Sequence, residues 1–227
     1  MCGPGFNPVL SEMYYFCKMK ENFYRRKLPH FLPNDAPYFV TTRLADSMPI
    51  EVLRQMQFER DKELASIIEE RGDPKAALEL RRQAYNRYFG KFDKRLDLAP
   101  TGPIWLKDSR IAEIVHSEIL ALDGVQYTLW ASTIMSNHIH LLFSLLPESK
   151  ELYDVMKLIK GRSAIKANRI LDRRGAFWQD ESYDHVARER EFARIVSYIL
   201  NNPVAAGLVK HWRDWPYTYL HPSFEGF

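Results

Sequence analysis

The sequence predicts an α+β fold: a ferredoxin-like sandwich on an antiparallel sheet, with a helical hairpin inserted into it. Three observations carry that expectation. Short runs rich in aromatic and β-branched residues occur at 38–44, 126–134 and 138–145, and a fourth strand is expected within 176–188. Apolar residues at helical spacing fill 109–122 and 151–171 between them, and 189–201 after them. The order strand, helix, strand, strand, helix, strand, helix then suits one sheet with helices on one face.

Residues 1–24 contain Gly3, Pro4, Gly5 and Pro8 and read as an irregular extension. The first strand is YFVTTRL at 38–44. A charged stretch from Glu51 to Asp97 follows, broken only at Gly72-Asp73-Pro74. Its apolar residues Leu64, Ile67 and Ile68, then Leu78, Leu80, Ala84 and Tyr88, recur at helical spacing. They predict two helices joined at 72–74, a solvated structural insertion at about 50–100.

Asp108 or Ser109 caps the next helix, whose core edge is Ile111, Ile114, Val115, Glu118, Ile119 and Leu122. Asp123-Gly124 ends it. The two following strands are separated by the turn Met135-Ser136-Asn137, and Arg173-Arg174-Gly175 closes the helix at 151–171. Residues 176–188, with Trp178, Tyr183 and Val186, return to the sheet, and a final helix ends before Asn202-Pro203. One domain is expected over 25–220, with a tail at 221–227.

The chain has 227 residues, 46% of them hydrophobic, enough for one substantial core. No apolar run has the length of a membrane span, and no signal-peptide pattern opens the sequence. Cys2 and Cys17 are too few for a disulfide framework, so a cytoplasmic location without a membrane partner is expected. A formal charge of +3 and a pI near 8.7 admit a nucleic-acid partner without requiring one.

The chemistry centres on His138 and His140. Strand alternation points both to one face and Ile139 to the other, inside the apolar flanks Ile134, Met135, Leu141, Leu142 and Phe143. Buried imidazoles need their ring nitrogens satisfied, either by a divalent metal or by hydrogen bonds within a core. In the last helix Phe192, Ile195, Val196 and Ile199 define the core stripe. Tyr198 lies on its flank and Asn202 one turn later on the same side. This pair is either a boundary tyrosine with a terminal asparagine or a phenol and amide presented together. Arg162, Lys166, Arg169 and Arg173, at i, i+4, i+7 and i+11, form a basic stripe: a solvated face or a phosphate path.

NHIHLLF at 137–143 together with YILNNPVAAGLV at 198–209 resembles the REP-associated tyrosine transposases, within the single-tyrosine HUH transposases. The resemblance extends to RRKLPHF at 25–31, YFVTTRL at 38–44, LIKG at 158–161, Asn168, GAFWQDESYDH at 175–185 and DWPY at 214–217. It implies that the single domain over 25–220 is an HUH transposase-like core. It further implies that His138 and His140 hold a divalent metal, Mg²⁺ or Mn²⁺, that Tyr198 is the nucleophile, and that Asn202 completes the metal site. The implied activity is metal-dependent nicking and joining of DNA through a 5′-phosphotyrosine. Single-stranded or hairpin DNA is the implied partner, above all repetitive palindromes, with the protein a monomer or homodimer. In that setting the stripe reads as a DNA path, extended by Arg25, Arg26 and Lys27. Trp178 and Tyr183 either stack bases or pack the core. Ser136 stands where the family usually has proline, and compact members lack the insertion. A replication- or conjugation-type HUH nickase and a non-catalytic nucleic-acid-binding protein remain alternatives.

Overall fold

The computed structural model describes residues 36–69, 74–98 and 101–224. The expected extension at 1–24, the basic residues Arg25, Arg26 and Lys27, and the hairpin joint at 72–73 lie outside the described residues. The elements are β1 (Pro37–Arg43), α1 (Ile50–Glu69), α2 (Pro74–Asp97), α3 (Ser109–Leu120), β2 (Tyr127–Ile134), β3 (His138–Leu145), α4 (Leu152–Ile170), β4 (Tyr183–Val186), α5 (Glu189–Ala205) and β5 (Thr218–Leu220). Short 3₁₀ turns occupy Trp105–Lys107, Trp212–Asp214 and Pro222–Phe224.

All five strands form one sheet in the order β4-β1-β3-β2-β5, and every neighbouring pair is antiparallel. The first four give the expected ferredoxin-like arrangement, and the three-residue β5 adds an edge beside β2. Asp108 supplies the α3 cap, accepting from the Arg110 backbone N–H at 3.0 Å. Gly124, at φ 71°, makes the turn into β2 where a side chain would be strained.

Strand alternation sorts the core into two layers. Ile139, Leu141 and Phe143 of β3, with Tyr38 and Val40 of β1, pack against Ile111, Val115 and Ile119 of α3 and Val155 and Ile159 of α4. Phe39, Ala131 and Leu142 face the other way, against Ile195, Val196, Ile199 and Leu200 of α5 and Phe89 of α2. Helices therefore cover both faces of the sheet, not one as expected. The physical reason is the near-continuous apolar run of β3, which leaves no face suited to water.

The inserted hairpin is present, with Met48, Met56 and Leu96 buried at its base and Leu64, Ile67 and Ala84 farther along. It is not merely a solvated insertion, because Phe89 enters the second core layer. The last helix also departs from expectation. It runs through Asn202 and Pro203 to Ala205, both residues being buried. Proline removes one ladder donor, but the Ala206 and Leu208 N–H groups still bond the carbonyls of Asn202 and Pro203, each at 2.9 Å.

Candidate metal centre and its neighbouring tyrosine

His138 and His140 are wholly buried on the α5 side of β3. Arg43 pairs with His138 and Thr41 with His140 across the β1–β3 ladder, so these four side chains share a face. The tautomers follow from the neighbours. Asn137 donates its Nδ2–H to the Leu96 carbonyl at 3.0 Å, which turns its Oδ1 toward His138 Nδ1 at 2.7 Å. His138 must donate from Nδ1, and its Nε2 carries the free lone pair. Asn202 donates from Nδ2 to His140 Nε2 at 3.2 Å, leaving the His140 proton on Nδ1, 2.7 Å from Thr41 Oγ1. Both Nε2 atoms thus point inward, 3.1 Å apart.

The inserted helix α2 supplies the third wall. Asp93, 1% exposed, brings Oδ1 to 3.4 Å from His140 Nε2 and 3.8 Å from His138 Nε2. Asp97, one turn later, stands 3.8 Å from His138 Nε2. Burial above all pushes the His138 imidazole down to about 3, the adjacent His140 ring adding to that and Asp93 opposing it; it is a neutral ligand. Burial raises the Asp93 carboxyl, but the neighbouring His140 and His138 rings and the Asn202 amide outweigh that and hold it below its usual range. Burial and the Asp93 charge push Asp97 up to about 6.

Neither Asp93 carboxylate oxygen has a well-formed hydrogen bond, and Asn202 Oδ1 is also buried without a partner. A buried carboxylate facing two lone pairs is costly unless a cation compensates it. Asp93, His138 and His140 offer ligand atoms within 4.8 Å of one another, the one such group among the described residues. Two donors each ~2.1 Å from one ion stand ~3.0 Å apart at right angles and ~4.2 Å apart when opposed. The observed separations of 3.1, 3.4 and 3.8 Å fall in that window, so the residues present fit a divalent ion.

Tyr198 borders this cluster. Its ring meets that of His140 edge-on at 5.5 Å and that of Phe39 at 6.0 Å. It is 37% exposed, at the border of a buried donor set. The fold therefore brings Tyr198, His138, His140 and Asn202 together. Sequence reading missed Asp93, Asp97 and Thr41. The spacing FDKRLD puts two carboxylates one turn apart, but exposed helices carry that pattern routinely.

The basic stripe lies elsewhere. α4 packs on the opposite face of the sheet from the histidines. There Lys166 binds Glu118 of α3 at 2.5 Å, with Arg162 4.0 Å from the same carboxylate. Arg173 does not continue the stripe as expected, because the helix ends at Ile170; it bonds Asn168 at 2.7 Å and lies over the Trp105 ring, while Arg169 is exposed. Trp178 is a core residue whose Nε1–H donates to Ser163 at 2.9 Å. Tyr183 stacks on Phe89, and burial raises its phenol well above the usual value. Both aromatic side chains are held by packing. Among the described residues no helix is long and apolar enough to cross a membrane.

Comparison with known proteins fits this arrangement. The family described as "Transposase IS200 like" matches residues 108–202, a span containing β2, β3, α4 and all of α5 up to Asn202. A Haemophilus influenzae protein named as a REP-associated tyrosine transposase is 32% identical over 102 residues. That match takes in 40% of this chain, which spans 57% of the relative's length. Among solved structures, a REP-associated tyrosine transposase bound to a REP hairpin aligns at 15% identity and TM-score 0.44, covering 85% of this chain and 81% of the other. A transposase from Deinococcus radiodurans R1 aligns at 14% identity and TM-score 0.33, covering 78% and 97%.

Proposed function

We propose that the protein nicks and rejoins single-stranded DNA through Tyr198, a reading supported by the match of residues 108–202 to the family described as "Transposase IS200 like". The observation that carries this reading is the meeting of two inward-facing imidazole Nε2 atoms and a buried carboxylate beside a partly exposed tyrosine. His138, His140 and Asp93 would hold a divalent cation, Mg²⁺ or Mn²⁺. Rotating the Asn202 amide about its last torsion would add its unpartnered Oδ1. Such an ion, when bound, polarises the scissile phosphate and offsets charge on its non-bridging oxygens.

The remaining steps belong to the protein. Tyr198 Oη attacks phosphorus; the Oη–P bond forms as the P–O3′ bond breaks. The phenolic proton passes to solvent, and the departing 3′-oxygen takes one up. The product is a 5′-phosphotyrosine and a free 3′-hydroxyl, so the phosphodiester energy is retained for rejoining without a nucleotide cofactor. Thr41 and Asn137 fix the two imidazole orientations by their bonds to Nδ1. Hairpins of repetitive palindromic sequence are the substrate we assign, on the motif resemblance and the name of the 32%-identical relative. Because α4 lies across the sheet, its stripe would take the hairpin stem and leave the scissile strand to the α5 side.

The test is a labelled REP-type hairpin incubated with Mn²⁺ and resolved on a denaturing gel. The parent forms a covalent protein–DNA species that chelator prevents, and Tyr198→Phe forms none. A covalent species from Tyr198→Phe would overturn the assignment of the nucleophile.

A further inference from the structure

The inserted hairpin touches the donor set at three points near the end of α2. Asp93 enters the cluster with both oxygens lacking partners. Leu96 offers its carbonyl to Asn137 at 3.0 Å, which in turn fixes the His138 ring. Asp97, its side chain 20% exposed, brings Oδ1 to 3.8 Å from His138 Nε2. Residues 93 and 97 are i and i+4, so the end of α2 presents Asp93 to both histidines and Asp97 to His138.

We propose that Asp97 is a further metal-ligating residue, and that a divalent cation bound by Asp93, Asp97, His138 and His140 fastens the inserted hairpin to the sheet. The inference rests on the metal reading given under Proposed function. Without a cation, two carboxylates converge on the histidine pair and leave the end of α2 with negative charge against a buried site. A divalent ion cancels that charge with donors from two separate pieces of chain. Any ligand bound jointly by two elements favours the state in which they are together, so metal affinity and hairpin docking rise and fall as one quantity. With Asn202 Oδ1 turned in as well, five of the six positions of an octahedral ion would be taken, and the sixth is left for DNA. The hairpin has other holds on the domain, namely Phe89 in the second core layer and the Arg82–Glu191 pair with α5 at 2.8 Å. Metal loss therefore loosens the last turn of α2 before the rest of the hairpin.

Mn²⁺ binding by calorimetry, paired with hydrogen exchange of peptides from 50–98, tests this on the full chain without reference to DNA cleavage. Mn²⁺ should slow exchange in the last turns of α2, while Asp93→Asn and Asp97→Asn should each weaken Mn²⁺ binding by at least ~10-fold, the smaller loss seen for outer partners. Asp97, being partly exposed, tolerates the amide without threat to folding, so its variant remains informative if Asp93→Asn misfolds. Parent-like Mn²⁺ affinity in Asp97→Asn would overturn the inference. So would unchanged exchange in α2 when Mn²⁺ binds and His138→Ala abolishes that binding, a result that leaves the metal reading standing. No Mn²⁺ binding by the parent at millimolar concentration would overturn both together.

Discussion

The two faces of β3 differ in everything but the strand that builds them. Toward α3 and α4 it presents Ile139, Leu141 and Phe143, each fully buried among aliphatic and aromatic neighbours. Toward α5 and the insertion it presents His138, His140 and Leu142, and around them gather Asp93 and Asn202, with buried oxygens that lack hydrogen-bond partners. One face is apolar apart from the scattered buried hydroxyls of Thr42 and Ser132, and the other gathers a carboxylate, an amide and two imidazoles around one point. A fold keeps such an arrangement where a ligand completes it, because uncompensated buried polar atoms otherwise work against stability. The apolar face fixes the strand so that the polar face can hold its donors in place.

The largest effects should come from breaking the polar face. His140→Ala removes one lone pair and the edge contact to Tyr198, so covalent adduct formation should fall to background with the far-ultraviolet spectrum unchanged. A gel beside circular dichroism reads both, and retained adduct would mean that the histidines serve packing alone. Crossing one residue to the other face should reverse the pattern. Ile139→Ala should lower stability by about 2–5 kcal/mol in urea unfolding. Mn²⁺ affinity of the folded fraction should stay near that of the parent.

A pH titration sharpens the comparison further. In metal-free protein the Asp97 carboxyl, pushed up from an ordinary value of 3.8 to about 6, holds its proton more tightly folded than unfolded. Its contribution to stability is present below the unfolded value and is lost as pH rises through about 6. Unfolding midpoints in chelator should therefore decline across that window relative to Asp97→Asn, and a parallel profile would remove the effect. The smallest change belongs to α4, across the sheet. Replacing Lys166 and Arg169 together should leave the cleavage rate of bound hairpin unaltered. The slope of log affinity against log salt should shrink by about 0.7–0.9 per lost phosphate contact. An unchanged slope would make the stripe a solvated face, with Lys166 held by Glu118.

Much of this was legible in the sequence because local rules decide it. Alternation along 137–143 put His138 and His140 on one face and Ile139 on the other, and the i, i+4 spacing joined Tyr198 to Asn202. The Asp108 cap, the turn at 135–137 and the existence of the inserted hairpin followed from residue chemistry in the same way. What escaped is what tertiary contact decides. Asp93 sits in a charged helix whose local pattern is that of a solvated surface, and only docking against β3 brings its carboxylate to His140. α5 continued past Asn202 because burial overrode the usual stop at Pro203. The α4 stripe shows the converse, since periodicity placed four cations in line but could not say which side of the sheet they would occupy or that Glu118 would meet two of them.

The central claim is that the polar face of β3 and the end of the insertion form a divalent-metal centre beside Tyr198. Anomalous diffraction from crystals grown with Mn²⁺ tests it most directly. A single strong peak should appear, enclosed by His138 Nε2, His140 Nε2 and the Asp93 carboxylate, with no peak there in His140→Ala. A parent crystal with no anomalous density among those three side chains, or with its Mn²⁺ bound elsewhere, would contradict it.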